Sequence, residues 1–204
     1  MQIEPRIYLA SKSPRRRELL TQIGVRFDLM LFRAAPREDA ETDEIALPGE
    51  APEIYARRVA SAKALHATRL IALRKIAARP VLAADTTLDV DGEIVGKPAD
   101  EADAAAILRR LSGRSHRVIT AVALARTDTI ECLASVSEVR FRQLDDDEIR
   151  RYAISGEPMD KAGAYGIQGR AAMFVAEIRG SHSGIVGLPL CETALLLRKF
   201  GYPI

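Results

Sequence analysis

The chain has 204 residues, 48% apolar and 28% charged, with a formal net charge of +2. That length suits one domain over residues 1–204, or one domain with two lobes about a cleft, and the composition excludes disordered and fibrous classes. So small a net charge gives no electrostatic case for nucleic acid or a membrane surface as partner. The cations are unevenly chosen, 24 Arg against 6 Lys, so each lysine is informative. Cys132 and Cys191 stand far apart and in no metal-ligand spacing, which predicts reduced core thiols. His66, His116 and His182 form no zinc pattern. No charged-then-apolar leader and no bilayer-length apolar run are seen, so the expected location is the cytoplasm.

An apolar run, Ile7 to Ala10, predicts a short buried strand that stops at Ser11. Ser13 and Pro14 are N-cap and first-turn residues, and Glu18, Leu19, Leu20 and Ile23 carry the helix on to Gly24. A strand running into a helix N-terminus presents free N–H groups and the positive dipole end to an anion. Arg15, Arg16 and Arg17 are out of place in such a first turn unless an anion sits with them; otherwise the turn is simply solvated. Val25 to Phe32 reads as a second strand. Residues 33–50 read as an exposed loop whose acids (Glu38, Asp39, Glu41, Asp43 and Glu44) are either solvated or supply a metal ligand.

A long helix is predicted from Ala51, with Tyr55, Val59 and Ala62 on one face, reaching toward Ala78 with a break near Thr68. Lys63 lies on it. The run Val81-Leu82-Ala83-Ala84 predicts a central strand buried on both faces. Asp85 is placed at its C-terminal end, where open α/β sheets gather ligands. Asp91-Gly92 marks a hairpin between Leu88–Val90 and Glu93–Val95, and Gly96-Lys97-Pro98 follows. A helix from about Asp100 to Leu111 turns Ala105, Leu108 and Leu111 inward. Val118 to Ala125 and Ile130 to Phe141 pair as a hairpin, and Asp145 to Ile154 is a short acid-capped helix. Residues 155–169 hold four glycines, a loop whose backbone can approach something closely. Phe174 to Ile178 is the last strand, 180–189 a second Gly-rich turn, and Cys191 to Lys199 a closing helix. The alternation predicts an α/β fold with a mixed, twisted sheet flanked by helices.

The polar groups that follow the apolar strands share a theme. Arg15 and Arg16 are planar, bidentate phosphate partners, and Lys63, Lys97 and Lys161 are compact charges suited to a triphosphate. Asp85 and a loop acid suit Mg²⁺ or Mn²⁺. This is the inventory for attack at phosphorus: cations, a metal, and a carboxylate to orient water. Neither a Walker A motif nor a Gly-x-Gly-x-x-Gly fingerprint is present. From these residues alone, Asp85 as a strand terminator, Lys97 as a surface lysine and Gln168 as a backbone-capping amide remain open readings.

The stretch Leu9-Ala10-Ser11-Lys12-Ser13-Pro14-Arg15-Arg16-Arg17-Glu18-Leu19-Leu20 resembles the opening signature of the Maf family of nucleoside triphosphate pyrophosphatases. The resemblance continues, in family order, through Ala84-Asp85-Thr86, Gly96-Lys97-Pro98, residues 111–116, 160–169 and 186–190. It implies a two-lobed fold about a nucleotide cleft and metal-dependent hydrolysis of a triphosphate to monophosphate and pyrophosphate. It implies a general base at Asp85, substrate choice at Arg15, Thr86 and Gln168, and further cleft positions at Ser13, Arg16, Lys63, Lys97, Asp160 and Lys161. Glu44 is the implied second metal ligand. The 160–169 block resembles the branch acting on dTTP and UTP, and a homodimer is implied as well. Gln168 suits a pyrimidine edge, since an amide both donates and accepts. Arg17, one step further round the helix, is expected to be solvated. The rivals are a nucleotidyltransferase, which needs an acceptor site for which no motifs are left, and a non-catalytic regulator of septum formation.

Overall fold

The computed structural model describes residues 5–32 and 44–204; the acids Glu38, Asp39, Glu41 and Asp43 lie outside the described residues. Among the described residues seven strands form one mixed sheet in the order β2-β1-β3-β5-β6-β7, with β4 pairing β3. β1 (Ile7–Leu9) runs parallel to β2 (Phe27–Leu29) and to β3 (Val81–Val90), which β5 (Ser115–Arg126) flanks antiparallel. β6 (Thr129–Phe141) and β7 (Val175–Arg179) continue the antiparallel half, and β4 (Glu93–Val95) returns on β3 through Asp91-Gly92. Both residues of that turn have positive φ, 57° and 85°, as a two-residue type I′ hairpin requires.

Among the described residues six α-helices flank the sheet: α1 (Pro14–Gln22), α2 (Pro52–Leu73), α3 (Glu101–Leu111), α4 (Asp146–Ala153), α5 (His182–Val186) and α6 (Leu190–Lys199). α2 is unbroken, because Thr68 satisfies its hydroxyl on the Ala64 carbonyl at 2.9 Å and stays helical. It stops at Leu73 rather than near Ala78, the turn closing on Lys75 at φ 52°. Its inner face is Ala56, Ala60, Ala64 and Ala67, all fully buried against Ala83, Ala121 and Ala123 of the sheet, while Ala62 is only half-buried. With little but methyl groups between them the helix lies close to the sheet, and Lys63 is carried to the edge of β3. The 180–189 turn contains α5, and Ala104 rather than Ala105 is the fully buried alanine of α3. Cys191 is exposed, not a core thiol, because it falls on the outer side of α6; Cys132 is half-buried.

Two core clusters cover opposite faces of the β1–β3–β5 region, one under α2 and one under α5 and α6. A third lies at the far end of β3 beneath α3, α4 and the 160s loop. The two lobes are thus separate cores joined by the long strands β3 and β5.

The third core contains a titratable group. His116 is 3% exposed and shares a 2.8 Å hydrogen bond between Nε2 and the Tyr165 hydroxyl, while its Nδ1 is buried without a partner. Burial pushes its pKa down from 6.5 to about 4. The folded state therefore holds His116 neutral, and the stability it lends is complete above pH 6.5 and lost as pH falls toward 4. The expected loss is on the order of 3 kcal/mol, at about 1.4 kcal/mol per pKa unit. Urea denaturation of wild type and His116→Gln from pH 7 to pH 4 measures it; the variant should lack that part of the acid slope.

Candidate active site

The cleft begins as a gap in strand pairing. β5 pairs with β3 continuously from Val81 to Asp89. On the other edge of β3, β1 reaches only Val81 and Leu82, and β4 takes over only at Leu88. Among the described residues no strand pairs with 83–87 on that edge. The expected strand end at Asp85 is therefore corrected: Asp85-Thr86-Thr87 continue the strand because β5 supplies partners throughout and threonine suits a pleated surface. What ends near Asp85 is β1, not β3. Successive side chains on a strand alternate faces, so Asp85 points to α2 while Thr86 points to α5, and the open edge exposes both.

A cavity of 910 Å³ fills the gap and spreads between the lobes. Ser13, Arg15, Arg16, Glu44, Lys63, Asp85, Thr86, Lys97, Asp160, Lys161 and Gln168 all line it. The structure thus brings together residues drawn from α1, α2, β3, the segment before α2 and two loops.

On the α2 side, Lys63 Nζ lies 2.9 Å from Asp85 Oδ1 and 2.6 Å from Glu44 Oε1. The lysine and Asp85 side chains are 14% and 8% exposed. Asp85 Oδ2 is buried and has no hydrogen-bond partner among the described residues. The Glu44 carboxyl is held below its ordinary pKa: burial works to raise it, but the charge and hydrogen bond of Lys63, helped by Lys97 and Arg16, prevail. Tyr55 fixes Glu44 by donating to its backbone carbonyl at 2.8 Å, and its own phenol is pushed up to about 12 by burial and by the charges of Asp85 and Glu44. Arg58 staples the same segment, donating to both Glu50 oxygens at 2.7 Å and to the Ile45 carbonyl at 3.0 Å. Among the described residues no group of three or more His, Cys, Asp or Glu side chains is gathered as a metal site. Two carboxylates, one with an unpartnered buried oxygen, fit a hard divalent ion that completes its shell with water and phosphate oxygens.

On the α1 side, Ser13 caps the helix, accepting from the Arg16 N–H at 3.5 Å. The Arg16 side chain folds inward, donating from Nε to the Gly187 carbonyl at 2.7 Å and from Nη2 to Thr86 Oγ1 at 3.2 Å. Burial lowers its pKa, against the opposing charges of Asp85 and Glu44. Arg15 points across the cleft to Asp160 at 3.7 Å, linking the lobes. Arg17 is half-buried and makes no ion pair among the described residues.

On the far lobe, Lys161 Nζ is held at 2.5 Å by both Asp160 Oδ1 and the Glu157 carbonyl. The Asp160 carboxyl is lowered: burial raises it, but Lys161 and Arg15 prevail. Lys97 is exposed and has no ion pair among the described residues. Three of the four glycines of 155–169 permit close approach, to the protein's own side chains, while a Cβ on Gly156 would meet nothing. A Cβ on Gly163 would collide with Leu88, one on Gly166 would lie 2.6 Å from Lys161 Cε, and one on Gly169 would collide with the Glu157 carboxylate. The Gly163 N–H donates to the Gly96 carbonyl at 2.9 Å, tying this loop to the Lys97 turn. Gln168 caps no backbone group among the described residues; its amide stands exposed in the cleft.

The sequence alone does not mark Tyr55, Glu157 or Thr120 as residues of the site. Tyr55 reads as an ordinary core aromatic of a helix, and Glu157 as one more loop acid. Thr120 left a faint signal, a single hydroxyl inside the apolar run Val118 to Ala125.

The family model described as Maf-like protein matches residues 6–200. The chain belongs to the Maf family. Among its Maf relatives, a protein of Dechloromonas aromatica (strain RCB) is 60% identical over 97% of this chain and 98% of its own. One of Aromatoleum aromaticum is 61% identical over 99% of this chain and 98% of its own. One of Ralstonia nicotianae is 59% identical over 96% and 94% respectively. All three are named dTTP/UTP pyrophosphatase. Among the described residues of this Maf protein, no helix is long and apolar enough to cross a membrane.

Proposed function

We propose that this chain hydrolyses dTTP and UTP to the monophosphate and pyrophosphate. The names of relatives matched over nearly the whole chain support the activity. The observation that carries the mechanism is Asp85: a buried carboxylate with one free oxygen, opening onto a cleft ringed by Arg15, Arg16, Lys63, Lys97 and Lys161. The triphosphate lies across the N-terminus of α1 at Ser13, where N–H groups and the dipole favour negative charge. Arg15, Arg16, Lys97 and Lys161 neutralise the phosphate oxygens, and the charge that develops on the departing pyrophosphate is met by groups already in place. Asp160 holds Lys161 and gives up Arg15 to the substrate.

Asp85 and Glu44 would hold Mg²⁺ or Mn²⁺, which when bound polarises phosphate oxygens and lowers the pKa of an attacking water. Asp85 orients that water toward the α-phosphorus and takes its proton as the bond from that phosphorus to the bridging oxygen breaks. Lys63, within 3 Å of both carboxylates, fixes them in place. Gln168 reads the base, donating to a pyrimidine carbonyl and accepting from the ring N–H.

Pyrophosphate release from a panel of triphosphates, each incubated alone with Mg²⁺, tests this. Turnover is expected with dTTP and UTP, well above that with purine triphosphates, and it should be abolished by EDTA. A purine preference would overturn the reading at Gln168, and dependence on an added acceptor would favour a nucleotidyltransferase.

A further inference from the structure

We propose that Thr120, which does not line the cleft, positions Arg16 for the triphosphate through a hydrogen-bond relay of fixed polarity; the choice of ligand rests on the pyrophosphatase reading. Thr86 and Thr120 are directly opposed in the β3/β5 register, and their Oγ1 atoms lie 2.9 Å apart. That distance alone does not say which hydroxyl donates. Thr120 is fully buried, however, and its Oγ1 lies 2.7 Å from the Gly184 carbonyl oxygen of α5. A carbonyl only accepts, so the single hydroxyl proton of Thr120 is committed there. Thr120 must then accept from Thr86, whose own proton is committed in turn. Thr86 has only lone pairs left for Arg16 Nη2, at 3.2 Å. The relay therefore runs one way, from guanidinium to Thr86 to Thr120 to Gly184.

A second arm closes the ring. Arg16 Nε donates to the Gly187 carbonyl at 2.7 Å, and the Gly187 N–H donates to the same Gly184 carbonyl at 3.0 Å. Both arms end on the α5 turn, so the guanidinium plane is fixed at two separate points. A third contact, Nη1 to Ser11 Oγ at 3.4 Å, faces the α1 loop. A guanidinium has five N–H donors, so two remain for phosphate oxygens, in an orientation set by the relay. Thr86 cannot donate to substrate while Thr120 holds its proton, and its influence on substrate passes through Arg16.

The test compares the full chain with Thr120→Val, which keeps the shape and removes the hydroxyl, and Thr120→Ser, which keeps the hydroxyl. Thr120→Val is expected to raise KM for dTTP about tenfold, the scale of one hydrogen bond to a charged group, with kcat changed far less. Calorimetric titration with tripolyphosphate should show the same weakening, and Thr120→Ser should restore it. In an Arg16→Ala background, Thr120→Val should add nothing. Thr86→Val cuts the relay one bond nearer Arg16 and should give the same loss, so the proposal stays decidable if Thr120→Val fails to fold. Wild-type tripolyphosphate affinity in the relay variants, equal losses in Thr120→Val and Thr120→Ser, or full additivity with Arg16→Ala would overturn it. If wild type released no pyrophosphate from dTTP or UTP, the function reading would fall while the tripolyphosphate arm still decided the relay.

Discussion

Replacing Asp85 by Asn is expected to lower kcat for dTTP by about 10³-fold, within the range for losing a positioned general base, while the protein stays folded. The variant removes the charge that orients water and half of the carboxylate pair suited to a metal. The fold tolerates it for a geometric reason. Lys63 keeps its 2.6 Å partner Glu44 when Asp85 becomes neutral, so no buried cation is stranded. Among the described residues Asp85 Oδ2 already has no partner, so no hydrogen bond seen there is lost on that side. A stability change below about 2 kcal/mol follows, well short of the roughly 3–5 kcal/mol for orphaning a buried charge. Steady-state kinetics at saturating Mg²⁺ together with urea denaturation read both quantities. Near-normal turnover would remove Asp85 from the chemistry.

Lys63→Met should do the opposite to stability. Asp85 Oδ1 has its ion-pair partner in Lys63, and with the ammonium gone a carboxylate only 8% exposed has neither oxygen satisfied. The expected cost is about 3 kcal/mol or more, since the loss of one partner leaves a buried charge uncompensated. Glu44 adds little to that figure because its side chain is 42% exposed and water screens it. Methionine has similar length, so the loss reports charge rather than packing. Activity should fall about 10²-fold with it, as the two carboxylates lose the cation that fixes them. Urea denaturation with and without Mg²⁺ checks the cause: a divalent ion should return part of the lost stability by taking the place of the missing charge. A variant as stable as wild type would show that Asp85 does not need Lys63.

Much of this was legible beforehand because it rests on local chemistry. Ser13 and Pro14 announce a helix start, and α1 begins at Pro14 with Ser13 accepting from Arg16. Asp91-Gly92 announces a hairpin and Asp145 an acid-capped helix; the latter carries a full capping box with Glu148. Alternation and apolar runs located the strands, and the ordered motif blocks pointed to the Maf family. Those signals sit within a few residues of each other, where backbone sterics and side-chain caps act.

Where local chemistry misled, a distant partner had the deciding role. Asp85-Thr86-Thr87 looks like a strand terminus until β5, far along the chain, supplies a partner for every residue. The inventory is written in the residues alone: arginines at an anion-binding helix start, scarce lysines, an aspartate after an apolar run, and glycines where the backbone turns. It takes the folded chain to divide the edge of β3 between β1 and β4, to open Asp85 and Thr86 on opposite faces of that gap, and to stand Thr120 behind Thr86. Pairing register and the close seating of α2 on alanines set those positions, and both depend on contacts between residues far apart in the chain.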